Sequence, residues 1–249
     1  MTRIELYLTP RAAERASLAE RQIVVVDVLR SCSTIAHALR HGAAKVIPVA
    51  TVEEATRLAA TLDPKHRLLC GERDGTKVNG FDLGNSPREY ATGRVKGATL
   101  IFASTNASPL MAGLLVGRTQ RLLSYVNLSA VMDAVRKDGG DLTIICAGGN
   151  GRVALEDTAC AGALIRGLAE GGPGAPRLND AAELAASYDR LHGHDPEAIL
   201  RRSDHGRYLV DVGFEADLAV CAAMDSAPIV PLLREGRIMA GEPAGRTAA

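Results

Sequence analysis

The amino-acid sequence predicts an α/β fold of three layers, α/β/α, with a largely parallel or mixed sheet, and two observations predict it. Short β-branched runs alternate with alanine-rich helical stretches along most of the 249 residues. Strands joined by helical crossovers pair in parallel, in a sheet covered on both faces. Helix boundaries carry their own signals: Thr51 with Glu54, and Ser86 with Pro87 and Glu89, read as capping boxes, while Gly42 and Gly139 stand where helices stop.

Taken in order, QIVVVDV is a strand and STIAHALRHG the helix after it, and AKVIPV with TVEEATRLAATL repeats the unit. The glycine-dense run GERDGTKVNGFDLGNSP cannot pack as a core element. It reads as a long loop or hairpin of the kind that binds or closes over a ligand, with a helix start at NSPRE. ATLIFAS, RLLSYV and DLTIIC are the next strands, followed in turn by a segment to Gly117, by NLSAVMDAVRKDGG and by ALEDTACAGALIRGLAEGG. The GGPGAPR stretch near residue 174 reads as a surface connection, so residues 1–249 form a single domain with a candidate two-lobed division near 172–178. Beyond Asn179 the chain reads as mostly helical, and its tail after Gly236 as mobile.

Composition narrows the function. A chain that is 47% hydrophobic and 23% charged is an ordinary globular protein, neither disordered nor fibrous. With 29 basic and 29 acidic residues and no basic run, it has no electrostatic footprint for nucleic acid or an anionic membrane. A small molecule is the expected partner, and the apolar composition admits a homodimer. The N-terminus lacks a signal-peptide core and no segment reaches membrane-spanning length, so a cytoplasmic location is expected. The five cysteines form no CxxC pair and leave one over in any disulfide scheme, as expected of reduced, buried thiols.

A parallel sheet binds ligands outside the carboxyl ends of its strands. Here VVVDVLR brings Asp27 and Arg30, followed by Ser33 and Thr34; LIFASTN brings Ser104, Thr105 and Asn106; TIICAGGNGR brings Gly148, Gly151 and Arg152, with Glu156 and Asp157 a turn later. Hydroxyls, glycines and arginines at helix starts suit a phosphate or sulfonate. Carboxylates beside them would repel that anion unless a cation lay between, and Asp27, Asp82, Glu156 and Asp157 are oxygen donors of the kind Mg²⁺ prefers. Arg73, Lys77 and Asn85 of the glycine-dense run are further candidates for substrate binding. One carboxylate of the set could also activate water.

Other chemistries are possible on these residues. Cys146 and Arg152 have the C-x5-R spacing of a thiolate phosphatase, but Val153 stands where such loops carry a hydroxyl. Asp27 lacks the D-x-D pattern of an aspartyl-phosphate enzyme, and AGGNGR is not a dinucleotide fingerprint. A non-catalytic anion-binding protein is the remaining reading.

The sequence resembles the ComB-type 2-phosphosulfolactate phosphatase family. The matching motifs are Asp27-Val-Leu-Arg30 with Ser33 and Thr34, the run from Gly71 to Pro87, Thr105-Asn106, Cys146 to Gly151 with Glu156-Asp157, Leu178 to Asp180, and His205 to Leu209. It departs from the family pattern at Cys32, where a hydroxyl residue is usual, and at Ala107-Ser108, in place of Gly-Thr. The resemblance implies Mg²⁺-dependent release of phosphate from 2-phospho-3-sulfolactate, giving 3-sulfolactate on the route to coenzyme M.

Overall fold

In the computed structural model, residues 2–14, 16–113, 119–170 and 174–241 are described. The first half of the chain forms β1 (Arg3–Tyr7), α1 (Pro10–Ala13), β2 (Gln22–Val26), α2 (Ser31–Arg40), β3 (Lys45–Val49), α3 (Val52–Ala60), β4 (Arg67–Arg73), β5 (Thr76–Lys77), α4 (Thr92–Val95), β6 (Thr99–Ala103) and α5 (Ala107–Gly113). The second half forms β7 (Thr119–Leu123), α6 (Leu128–Asp138), β8 (Leu142–Cys146), α7 (Leu155–Glu170), β9 (Arg177–Leu178), α8 (Asp180–His192), α9 (Pro196–Arg202), α10 (Asp204–Asp211), α11 (Glu215–Ala222), β10 (Pro231–Arg234) and β11 (Arg237–Ala240). Among the described residues no helix is long and apolar enough to cross a membrane.

The strands form one mixed sheet in the order β5-β4-β6-β3-β11-β10-β7-β2-β8-β1-β9. Two parallel groups, β4-β6-β3 and β7-β2-β8-β1-β9, are joined by the antiparallel hairpin β10-β11, which pairs with β7 on one side and β3 on the other. The alternation of side chains along a strand makes the three layers. Val24 and Val26 of β2 enter a core with Val131, Leu164 and Ile165 from α6 and α7. Ile23 and Val25 enter the opposite core with Ile35 and Ala38 from α2. Each face of a strand buried on both sides must be apolar, which is why QIVVV is a continuous run.

The expected caps divide in two. Thr51 Oγ1 accepts the Glu54 N–H at 3.1 Å and Glu54 reaches back to the Ala50 N–H at 2.9 Å, so α3 starts as its sequence indicates. Gly42 and Gly139 take positive φ at the ends of α2 and α6. Ser86 does not cap: its hydroxyl donates to Asp217 Oδ1 at 2.7 Å, while Glu89 accepts the Gly84 N–H at 3.0 Å.

The tail after Gly236 also differs from expectation. Glu235 and Gly236, with φ of 49° and 71°, make the tight turn of the β10-β11 hairpin, and residues 237–240 lie inside the sheet. Residues 242–249 are outside the described residues, as are 172 and 173 of the candidate division near 172–178. Arg177–Leu178 pairs with β1 as the edge strand.

Candidate active site

The glycine-dense run begins by turning a hairpin. Arg73 pairs with Thr76 across Asp74 and Gly75, whose φ of 49° and 71° suit a two-residue turn. This turn holds Glu72 at the end of β4, where its carboxylate accepts the Thr105 N–H at 2.7 Å, the Thr105 hydroxyl at 3.1 Å and the Gly75 N–H at 2.8 Å. Glu72 thereby fastens the β6 exit to the β4-β5 turn. A second strap comes from Asp157 in the first turn of α7. Its two oxygens accept the Val28 N–H at 2.8 Å and the Gly148 N–H at 3.1 Å, holding the β2 and β8 exits together.

Between these straps lie Asp27 and Glu156. Asp27 Oδ1 accepts the Ser31 N–H at 2.9 Å at the start of α2. Glu156 is 2% exposed, and its Oε2 has no hydrogen-bond partner. Burial pushes Asp27 up from 3.8 to about 7, with the Glu72 and Glu156 charges adding to the effect. Burial raises Glu156, against the lowering effect of the Ser203 hydroxyl beside its carboxylate, and burial raises Asp157 as well, with Glu156 and Asp27 repelling it further. Acids that crowd one another out of water hold a proton or a cation.

A cavity of about 580 Å³, within the range of small-molecule sites, opens beside this cluster; Glu72 and Glu156 line it, while Asp27 and Asp157 lie buried behind the lining. The strand exits line one part of it through Glu72, Thr105, Asn106, Gly149 and Arg152, and the start of α7 through Val153 to Glu156. The first N–H groups of a helix have no intrahelical acceptors and favour an anion. Gly149 and Arg152 exchange both backbone hydrogen bonds around Asn150 and Gly151, and the Asn150 N–H donates to Asn106 Oδ1 at 3.0 Å. Gly148 has a φ of 68°, and a Cβ there would collide with the Arg152 carbonyl. The loop therefore spends most of its N–H groups on its own shape. What it delivers to the cavity is the Arg152 side chain, which has no hydrogen-bond or ion-pair partner among the described residues.

Over most of its length the chain matches one family model, that described as 2-phosphosulpholactate phosphatase, aligned to residues 7–236. The chain belongs to this family. Relatives from Thermotoga maritima and Thermotoga petrophila, each named probable 2-phosphosulfolactate phosphatase, are 39% and 38% identical, and the alignments cover 87% of this chain and 90% of theirs. A relative of the same name from Carboxydothermus hydrogenoformans is 37% identical over 95% of this chain and 96% of its own. Membership of the 2-phosphosulpholactate phosphatase family makes the enzyme class a phosphoric monoester hydrolase.

In this phosphatase several residues singled out in the sequence lie away from the cavity lining. Arg30 is 2% exposed and is engaged below it: its guanidinium donates to Asp217 Oδ2 at 2.8 Å and to the Gly75 carbonyl at 2.5 Å, and sits 4.3 Å over the Phe214 ring. Ser33 donates to the Val28 carbonyl and pairs with Ser124; Thr34 donates to the Asn85 carbonyl. Ser104 pairs with Ser31 and Ser108, and Asn85 donates to Ser31. These buried groups hold the strand exits in place. Arg73 donates to the carbonyls of Glu72 and Ala50, and Lys77 is exposed. Asp82 is exposed too, and its Oδ2 accepts the Leu69 N–H at 2.8 Å, apart from the other acids. Gly148 and Gly151 shape the loop rather than line the cavity. Cys146 is fully buried, and burial with the Asp157, Cys160 and Glu156 charges pushes its thiol well above the usual range.

Arg202, Asp204, His205 and Tyr208 also line the cavity, and strand-end reasoning does not find them. They come from the α9-α10 junction, and the only sequence signal, the HGRYL run of His205 to Leu209, covers His205 and Tyr208 and not Arg202 or Asp204. Glu72 is visible in sequence only as part of a motif. Its role in fastening Thr105 appears with the fold.

Proposed function

We propose that the chain hydrolyses the phosphate ester of a 2-hydroxy acid, converting 2-phospho-3-sulfolactate to 3-sulfolactate and phosphate with the help of Mg²⁺. One observation carries the reading: the unpartnered Glu156 Oε2 lines a cavity together with the unpartnered cation of Arg152, and Asp27, buried behind that lining and held near 7, adds its charge to that of Glu156. Among the described residues no three His, Cys, Asp or Glu side chains converge into a cage for a metal. Mg²⁺ does not need one, since it is commonly held by one or two carboxylates, with water and substrate phosphate completing the shell. Asp27 and Glu156 fit that role. Asp157 spends both oxygens on backbone N–H groups, and Asp82 lies elsewhere.

Bound there, Mg²⁺ would neutralise the phosphate and polarise the ester for attack. Arg152 grips two phosphate oxygens, and the start of α7 favours the same anion. Glu156, raised by burial, would take the proton of the attacking water as the ester O–P bond breaks in line, and would return it to the leaving alkoxide oxygen to give the free 2-hydroxy acid. The buried strap of Asp157 keeps these groups from drifting apart.

A cysteine phosphatase has no comparable support, because a thiolate is the nucleophile in such enzymes and the acids around Cys146 oppose its formation. Two substitutions separate the mechanisms in an assay of phosphate release with Mg²⁺ present. Cys146→Ser is expected to retain most activity, and iodoacetamide to leave the wild type active. Arg152→Lys is expected to lose about tenfold or more, since an ammonium cannot chelate two oxygens as a guanidinium does. A folded but inactive Cys146→Ser, with phosphate protecting the wild type from iodoacetamide, would overturn this reading.

A further inference from the structure

The phosphate reading leaves one wall of the cavity without a task. Ser203 is 1% exposed and turns the chain from α9 into α10: its hydroxyl donates to the Leu200 carbonyl and accepts the Gly206 N–H, both at 2.9 Å. A Cβ at Gly206 would collide with the Leu200 carbonyl, so the junction is tight. It places Arg202 and His205 on either side of Ser203, and all three line the cavity. Tyr208 fastens the wall to the β4-β5 turn by donating to the Asp74 carbonyl at 2.8 Å, and its ring stacks with His205.

The charge of Arg202 is uncompensated. Its neighbours are paired, Arg201 with Glu197 and Glu215, and Arg207 with Asp204. Arg202 forms no ion pair among the described residues, and its guanidinium is held by the neutral hydroxyl of Tyr188. A cation with no ion-pair partner at the wall of an anion cavity is not neutralised before a ligand arrives. Burial and the Arg30 charge hold His205 below the ordinary histidine range, so it offers a neutral N–H donor beside that cation. Arg73 and Lys77, the cations of the glycine-dense run, do not reach the cavity lining.

We propose that Arg202 and His205 form the subsite for the terminal acid group of the substrate, the sulfonate carried one carbon beyond the phosphate ester, and that Arg202 sets the preference for esters bearing a second acid. The proposal rests on the phosphatase reading above. The experiment compares 2-phospho-3-sulfolactate with 2-phospholactate, which lacks the terminal acid, in the wild type and in Arg202→Met with Mg²⁺ present. The ratio of kcat/KM for the two esters should fall about tenfold or more in the variant, chiefly through KM for the sulfonated ester, the size of one charge-assisted contact. Arg202→Lys should recover part of it, and His205→Gln should lower the same ratio by less.

An unchanged ratio, or equal losses on both esters, would overturn the subsite while leaving the phosphatase reading intact. If the wild type turns over neither ester, that reading fails and calorimetric binding of 3-sulfolactate against lactate decides the subsite by itself. The wild type should then favour 3-sulfolactate and Arg202→Met should lose the preference; equal preference in both would refute it. Arg202 is exposed, so an unchanged thermal midpoint is expected and confirms that the variant folds.

Discussion

Asp27→Asn is expected to lower the rate of phosphate release about a hundredfold or more, the scale of losing a carboxylate from catalysis, while the protein stays folded. The fold survives because an asparagine Oδ1 can still accept the Ser31 N–H that Asp27 accepts at 2.9 Å. What is lost is the negative charge buried beside Glu156. Near-normal activity in this variant would make Asp27 a structural cap on α2 and no more.

The same substitution has a consequence for stability, with a definite sign. Asp27 is held near 7 in the fold against 3.8 for the free side chain. Between those values the folded chain binds the extra proton, so without metal its stability falls as pH rises from about 4 to about 7. Asp27→Asn should remove that share of the slope and be the more stable protein above pH 7 without metal. In the proposed mechanism Mg²⁺ would take the place of the proton, so its addition should raise the thermal midpoint of the wild type more at pH 8 than at pH 5. Thermal melts at the two values, with and without Mg²⁺, measure both effects.

The legible part of the fold is the part buried on both sides. QIVVV and LTIIC announce β2 and β8 because neither face meets water. β1, β9 and the β10-β11 hairpin are harder to see. They are short or carry charged residues, and the hairpin turns on Glu235-Gly236 rather than the more familiar Asn-Gly or Asp-Gly. Nothing local in PLLR or RIMA says that these strands join two parallel groups. That is a property of the pairing with β7 and β3.

The site divides the same way. Thr105, Asn106, Arg152 and Glu156 are legible because they follow apolar runs, where a parallel sheet presents its ligands. Arg30 looks identical in sequence, yet its partner Asp217 lies 187 residues away and takes it out of the cavity. Ser33, Thr34 and Ser104 look like phosphate ligands for the same reason, and their hydroxyls are consumed by neighbours in the fold. Arg202 and His205 are hidden for the opposite reason, since they reach the site from helices that no strand end precedes.

Removal of the metal tests the central claim most directly. Four carboxylates, Asp27, Glu72, Glu156 and Asp157, are buried at the strand exits and the start of α7, and their mutual repulsion is what a dication would relieve. The measurement is phosphate release from 2-phospho-3-sulfolactate by protein stripped with EDTA and then supplied with Mg²⁺. The account predicts that stripping lowers turnover about a hundredfold or more and that Mg²⁺ restores it. Full turnover by the stripped protein would contradict it.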